Sequence, residues 1–210
     1  MNYFEVLVEG GSDMPALREI LTRKFGLEEN THFRIHPHKG RGKLPANVLA
    51  KPDPKHQALL DQLPAKLRGF GHYLGDDECV LVVMDADDTP DHELLADLES
   101  MLAQLPTRPS RVLFCLAIEE TESWFIADGD AVLRAYPKAK VQKLKRIAPD
   151  EIVGAWEALA DALKVEKSKV TGADKYAWAQ AIAPHLDLNN PKSPSLRRLL
   201  ERINEEVHVE

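Results

Sequence analysis

The chain has 210 residues, with 27 Lys and Arg against 34 Asp and Glu, which gives a formal net charge of −7. Its content of 44% hydrophobic and 29% charged residues is typical of a globular protein and argues against intrinsic disorder. No apolar run reaches the roughly 18 residues of a membrane-spanning helix, so we expect no membrane contact.

The N-terminal segment and the cysteines indicate the cellular location. Glu5 and Glu9 lie where a secretory signal peptide would be apolar, and the segment has no basic start. Cys79 and Cys115 lie in or beside apolar runs, where buried free thiols are expected rather than a disulfide or a ligand pair. We therefore expect a cytoplasmic protein.

Three short runs rich in Val and Leu predict strands that are buried on both faces of a parallel sheet. They cover residues 4–8, 80–84 and 112–118, and a weaker fourth candidate covers residues 33–36. The first helix is predicted to begin at Ser12 or Asp13 and to end at Gly26. Leucines over 59–67 and 94–105 mark two more helices, the first containing Pro64, which is expected to kink or split it. This alternation predicts an α/β fold with a mainly parallel, Rossmann-like sheet flanked by helices.

After residue 122 the sequence predicts only helices. They cover residues 124–136, 150–163, 174–186 and 193–207. A basic stretch at 137–149 separates the region with predicted strands from the helical C-terminal region. We therefore expect an α/β domain over 1–136 and a helical extension over 137–210, packed on the core. Four aromatic residues of this region are expected to pack in the core rather than stack on bases. They are Trp124, Trp156, Tyr176 and Trp178.

Charge is distributed in blocks along the chain. Residues 34–72 contain eight basic and two acidic residues, residues 76–99 contain ten acidic residues and no Lys or Arg, and residues 134–146 contain six basic residues and no acidic one. Each block alone is compatible with an ordinary solvated face. Together they predict an acidic pocket beside basic walls, an arrangement that suits a metal ion acting on a polyanion.

Acidic residues follow each of the three clear strands. They are Glu9 after the first, Asp85, Asp87 and Asp88 after the second, and Glu119, Glu120 and Glu122 after the third. Because the carboxyl ends of parallel strands meet at one edge of a sheet, we expect these carboxylates to converge. Oxygen donors favour Mg²⁺ or Mn²⁺, so the pattern predicts a divalent metal site. For Asp13, capping the first helix is an alternative of equal weight to binding the metal. For Asp88, capping the next helix together with Thr89 is preferred over binding the metal.

A basic, glycine-containing loop is the second informative feature. It is part of a long connection over 37–54 and reads H-P-H-K-G-R-G-K, with cations between glycines that let the backbone approach a phosphate chain closely. The candidate phosphate-binding residues of this loop and of the turn after the first strand are Gly10, Gly11, His38, Lys39, Arg41 and Lys43. A flexible solubilising loop is the alternative. A zinc site of His36, His38 and Cys79 has little support because no paired ligand spacing is present.

Two motifs resemble those of the Toprim domain, the metal-binding α/β fold of topoisomerases, primases and overcoming-lysogenization-defect nucleases. V-E-G-G-S-D follows the first strand, and V-V-M-D-A-D-D contains a later one. More closely, the chain resembles a family of small stand-alone Toprim-like bacterial proteins of unknown function, often encoded beside an ATPase. That resemblance rests on H-K-G-R-G-K-L-P, A-I-E-E-T-E-S-W-F-I-A-D and S-P-S-L-R-R-L-L, and it covers nearly the whole chain.

The resemblance implies Mg²⁺-dependent cleavage of phosphodiesters in DNA or RNA, within a phage-defence pair. It assigns Glu9, Asp85 and Asp87 to catalysis and to a first metal, and Asp13 and Glu122 to a second. Nuclease-type members carry Glu where this chain has Asp13, which weakens the case for the second metal. The alternatives are a non-catalytic binding or regulatory subunit of a partner ATPase and a small-molecule phosphotransferase.

Overall fold

The fold consists of one parallel sheet with helices on both faces. The computed structural model describes residues 3–86, 90–117, 120–148 and 153–207. Asp87, Asp88, Thr89, Glu119 and the predicted helix start at Asp150 lie outside the described residues. The strands are β1 (Tyr3–Val8), β2 (Phe33–Pro37), β3 (Glu78–Asp85) and β4 (Arg111–Ala117).

The helices of the first half are α1 (Met14–Phe25), α2 (Leu59–Phe70) and α3 (Asp91–Gln104). Those of the second half are α4 (Glu122–Ala127), α5 (Gly129–Ala135), α6 (Ala155–Leu163), α7 (Gly172–Ile182) and α8 (Pro194–Val207). None of the helices in the described parts of the chain is long and apolar enough to cross a membrane.

The sheet has the order β2-β1-β3-β4, and every pair of neighbours is parallel. Val6 lies beside Ile35 on one side and Leu81 on the other, and Asp85 lies beside Ala117. This arrangement confirms the predicted parallel α/β class, including the weaker fourth strand. Because all four strands run the same way, the segments that follow them leave the sheet at one edge.

Two apolar layers cover the sheet, one on each face. On one face, Phe4, Val6 and Val8 pack with α1 and with core residues of the C-terminal helices as far as Ile203. On the other face, Leu7 and Val82 pack under α2 and α3. The helices after residue 137 therefore share a core with β1 and α1.

The structure corrects one helix prediction and excludes one of the two alternatives given for another. The helix predicted over 124–136 is two helices, because Asp128 has φ −109° and ψ 73° and its carboxylate accepts a hydrogen bond from the Ala131 N–H at 3.1 Å. An Asp in this position caps a new helix instead of continuing the previous one. By contrast, α2 continues through Pro64 as a single helix, although Pro removes one backbone donor.

Burial confirms several predictions about single residues. Trp124 and Trp178 lie in the core, and Cys79 and Cys115 are buried free thiols. Tyr176 is exposed, so the prediction that it packs in the core is wrong. Position 176 lies on the solvent-exposed side of α7. The apolar residues of α7 have only a weak helical periodicity, so the sequence does not show which side of this helix is buried.

Candidate carboxylate site

The loop after β1 supplies two carboxylates to the edge of the sheet where the strands end. Glu9 follows the last residue of β1, and a short 3-10 turn over Gly11–Asp13 leads into α1. The Asp13 side chain is not a cap of α1; its Oδ2 accepts a hydrogen bond from the Gly10 N–H at 3.0 Å. Its Oδ1 accepts a second bond from the Thr121 hydroxyl at 3.1 Å. Asp13 is thereby buried at the junction of the first and third predicted acidic clusters.

Asp85 lies at the end of β3, where the carboxylates meet. Its backbone N–H donates to Oε1 of Glu9 at 2.9 Å. Burial, together with the negative charges of Asp13, Glu9, Glu122 and Glu120, raises the pKa of Asp85 well above its usual value. The charges of four carboxylates that follow β1 and β4 thus reach Asp85 at the end of β3.

The third cluster is held at the start of α4. The Trp156 N–H, at the start of α6, donates to Oε2 of Glu120 at 3.0 Å. Glu122 is 4% exposed. Burial raises the pKa of Glu122 to about 7, with the Glu120 charge adding to the rise and Lys175 opposing it.

Lys175 is the residue of this site that sequence analysis did not identify. Its Nζ, on α7, lies 3.2 Å from Oε1 of Glu120 and 3.7 Å from Oε1 of Glu122. It also lies 5.1 Å from the centre of the Trp156 ring. Burial lowers the pKa of Lys175, but the charges of Glu122 and Glu120 outweigh that effect and raise it overall. Nothing in the sequence signals this contact, since it arises only when α7 packs against the start of α4.

The basic loop lies against the same strand ends. The Gly40 N–H donates to the Glu9 carbonyl at 2.9 Å, and Nη1 of Arg41 donates to the Ala86 carbonyl at 3.0 Å. These bonds fasten the loop across β1 and β3, with Lys39 and Lys43 exposed to solvent. The structure thus brings the predicted phosphate-binding cations and the carboxylates to one edge.

His38 has a different position from the lysines of this loop. Its Nδ1 lies 2.8 Å from the Val8 carbonyl, an acceptor, so Nδ1 carries the proton. Burial lowers the pKa of His38, with the Lys66 charge contributing in the same direction. Its Nε2 has no hydrogen-bond partner within the described residues. The ring and the backbone N–H of His38 both contact the Val8 carbonyl, which holds this part of the loop against the end of β1.

The donor set suits a hard divalent cation. All five carboxylates offer oxygen, which Mg²⁺ and Mn²⁺ prefer. Burial, with the charges of neighbouring carboxylates, raises the pKa of Asp13, Asp85 and Glu122. Within residues 3–86, 90–117, 120–148 and 153–207, no three His, Cys, Asp or Glu side chains are arranged as a ready metal-binding group. Asp87, a predicted ligand, lies outside those ranges.

The fold and the site define a class: a parallel α/β domain with a carboxylate cluster and a basic loop at the carboxyl edge of its sheet. The chain matches a family model described as a domain of unknown function (DUF4276) over residues 8–204, and it belongs to that family. Neither a curated protein nor a solved structure matches the chain.

Proposed function

We propose that the protein is a Mg²⁺- or Mn²⁺-dependent, Toprim-type enzyme that cleaves phosphodiester bonds in nucleic acid. The observation that carries this proposal is the position of Asp85. The charges of four further carboxylates act on it beside a loop of exposed cations, at the edge of the sheet where α/β proteins bind ligands. An anionic site beside cations is poorly suited to binding a phosphate unless a metal ion bridges the two.

Glu9, Asp85 and Asp87 would hold the metal ion, with Glu122 and Asp13 available to complete the site. A divalent ion held by these residues would supply charge neutralisation at the attacked phosphate and a lowered pKa for the attacking water. Glu9 is fixed for this role because the backbone N–H of Asp85 orients its carboxylate. Asp13 is held in the same way by the Gly10 N–H.

The remaining side chains bind the substrate and move protons. Lys39 and Lys43 present exposed ammonium groups to the phosphate chain, and Arg41 holds the loop that carries them. Where a single metal ion leaves Glu122 unligated, Glu122 would be suited to accept a proton from the attacking water, because a general base works best when its pKa, here about 7, is near the operating pH. Lys175, whose Nζ lies 3.7 Å from the Glu122 carboxylate, opposes part of the rise in the pKa of Glu122.

The test compares the wild type with Asp85→Asn, using Asp97→Asn as the control, since Asp97 is an exposed residue of α3 and the charge change is identical. Calorimetry with Mg²⁺ and Mn²⁺ and cleavage of plasmid and single-stranded DNA and RNA are measured on the same samples. We expect Asp85→Asn to lose at least tenfold in metal affinity and all divalent-dependent cleavage, with the wild-type melting temperature retained or raised. Full cleavage by Asp85→Asn would contradict the proposal.

One observation favours the second candidate, a non-cutting Toprim-like subunit that binds nucleic acid or regulates a partner ATPase. Lys175 already neutralises part of the charge of Glu120 and Glu122, which reduces the need for a metal ion. This candidate predicts nucleic-acid or ATPase binding that is unaffected by EDTA, together with no turnover. The same assays therefore distinguish the two functions.

A further inference from the structure

A cluster of lysines surrounds the end of α6, away from the basic loop. We call it the α6 lysine patch and define it as Lys140, Lys143, Lys164 and Lys167, all exposed. Nζ of Lys143 lies 2.5 Å from Oδ2 of Asp161, the carboxylate at the centre of the patch. The Lys143 hydrogen bond and charge, with the charges of Lys167 and Lys140, lower the pKa of Asp161.

Three separate segments contribute to the α6 lysine patch. The Lys140 N–H donates to the Ala162 carbonyl at 2.8 Å, which fixes the segment after α5 against the end of α6. Lys164 is the C-cap of α6, and Lys167 begins the 3-10 turn that follows. Lysines near a helix C-terminus complement the helix dipole, but that effect does not explain cations brought there by a distant segment. Four lysines around one Asp leave a local excess of positive charge.

The start of α6 lies at the carboxylate site. The Trp156 N–H contacts Glu120 there, and the Trp156 ring lies beneath Lys175. Since α6 has 9 residues, its far end lies about 13 Å from that contact at roughly 1.5 Å per residue. The carboxylate site and the α6 lysine patch therefore lie at the two ends of one short helix.

We infer that the α6 lysine patch is a second phosphate-binding surface, which holds the nucleic-acid backbone about 13 Å from the carboxylate site, at the far end of α6. This inference rests on the proposed function for the class of ligand. The four residues that define the patch are all lysines, so none of them can make the two-pronged hydrogen bonds that arginine makes with a phosphate. Their ammonium groups contact phosphates as point charges, and we expect binding without sequence preference.

The experiment measures binding in an Asp85→Asn background, so that cleavage does not interfere. Fluorescence anisotropy with a labelled 24-base-pair duplex and a labelled 24-nucleotide single-stranded RNA gives the dissociation constant between 50 and 300 mM KCl. The test variant is Lys140→Gln/Lys167→Gln. The matched control is Lys24→Gln/Arg108→Gln, which removes two exposed cations from the opposite edge of the sheet. A third variant, Asp161→Asn, removes the negative charge at the centre of the patch.

We expect Lys140→Gln/Lys167→Gln to weaken binding several-fold at 150 mM KCl. The slope of log affinity against log salt should fall by about 1.8 for the duplex, roughly 0.9 for each lost phosphate contact. Asp161→Asn should strengthen binding, and the control should match its parent. Equal dissociation constants for the test and control variants would overturn the inference. A protein that binds poly-glutamate but neither the duplex nor the RNA would also overturn it. Because binding is read without turnover, patch-dependent binding in a protein that never cuts would support the patch while refuting the nuclease proposal.

Discussion

The side chain of Glu9 accepts a hydrogen bond from the backbone N–H of Asp85 at 2.9 Å, which ties the loop after β1 to the end of β3. One carboxylate thus serves two purposes: it satisfies a backbone donor and presents negative charge to the site. These two purposes respond differently to substitution. An amide side chain can accept the same bond without the charge, whereas a methyl group can supply neither.

Glu9→Gln is therefore expected to keep the fold and to lose metal affinity by at least tenfold. Glu9→Ala should in addition lose about 1–3 kcal/mol of unfolding free energy, because it leaves the Asp85 N–H without its acceptor. Urea denaturation measures the stability of both variants, and calorimetric titration with Mg²⁺ measures the affinity. Equal stability of the two variants would show that the hydrogen bond contributes little.

The raised pKa of Glu122 predicts an unusual pH dependence for the metal-free protein. Burial raises this pKa from 4.5 to about 7, so between those values the folded state binds more protons than the unfolded state. The contribution of Glu122 to the free energy of unfolding is therefore fully present below pH 4.5. This contribution is lost as the pH rises to about 7. Glu122 alone accounts for up to about 3 kcal/mol, and Asp85 and Asp13 act in the same direction.

The measurement is thermal or urea unfolding in EDTA at pH 5.5 and 7.5. We expect the wild type to be more stable at pH 5.5, and Glu122→Gln to be more stable than the wild type at pH 7.5 with a smaller difference between the two pH values. Added Mg²⁺ should stabilise the wild type at pH 7.5. A wild type that is more stable at pH 7.5 in EDTA would contradict the shift assigned to Glu122.

The arrangement of strands and carboxylates could be predicted from sequence because each signal is local. A Val-rich run followed by an acidic residue places Glu9 and Asp85 at one sheet edge as soon as the strands are parallel. Lys175 could not be predicted in this way. Its contact with Glu120 joins positions 55 residues apart, and it depends on how α7 packs. Helix breaks are equally sensitive to context, as Asp128 shows by capping α5 in the middle of an apolar pattern.

Lys175→Met is expected to destabilise the protein at pH 7.5. Removing one partner of a largely buried ion pair leaves Glu120 and Glu122 without a counter-cation, which costs roughly 2–4 kcal/mol. Lys169→Met is the matched control, because Lys169 pairs with Glu166 on the exposed surface, where such pairs contribute little. Urea denaturation should show a large loss for the first variant and almost none for the second. Mg²⁺ should restore part of the loss, and similar losses for both variants would contradict the role given to Lys175.

Gly42 fixes the path of the basic loop, and its substitution separates loop shape from loop charge. Its φ is +69°, and a Cβ there would lie 2.6 Å from both the Ala58 Cβ and Oδ2 of Asp61. Gly40 also has a positive φ, of +88°, but a Cβ there meets no described atom within 4 Å. Both Gly→Ala variants therefore carry the backbone cost of roughly 1 kcal/mol, and only Gly42→Ala adds a steric clash.

We expect Gly42→Ala to lose more unfolding free energy than Gly40→Ala and to weaken nucleic-acid binding, although every cation is still present. Urea denaturation and anisotropy with a labelled duplex measure the two effects. Lys39→Gln/Lys43→Gln should give the reverse pattern, with weaker binding and unchanged stability, because both side chains are exposed. If Gly42→Ala binds as tightly as the wild type, the loop needs only its charges, and the hydrogen bonds that fasten it to β1 and β3 do not contribute to binding.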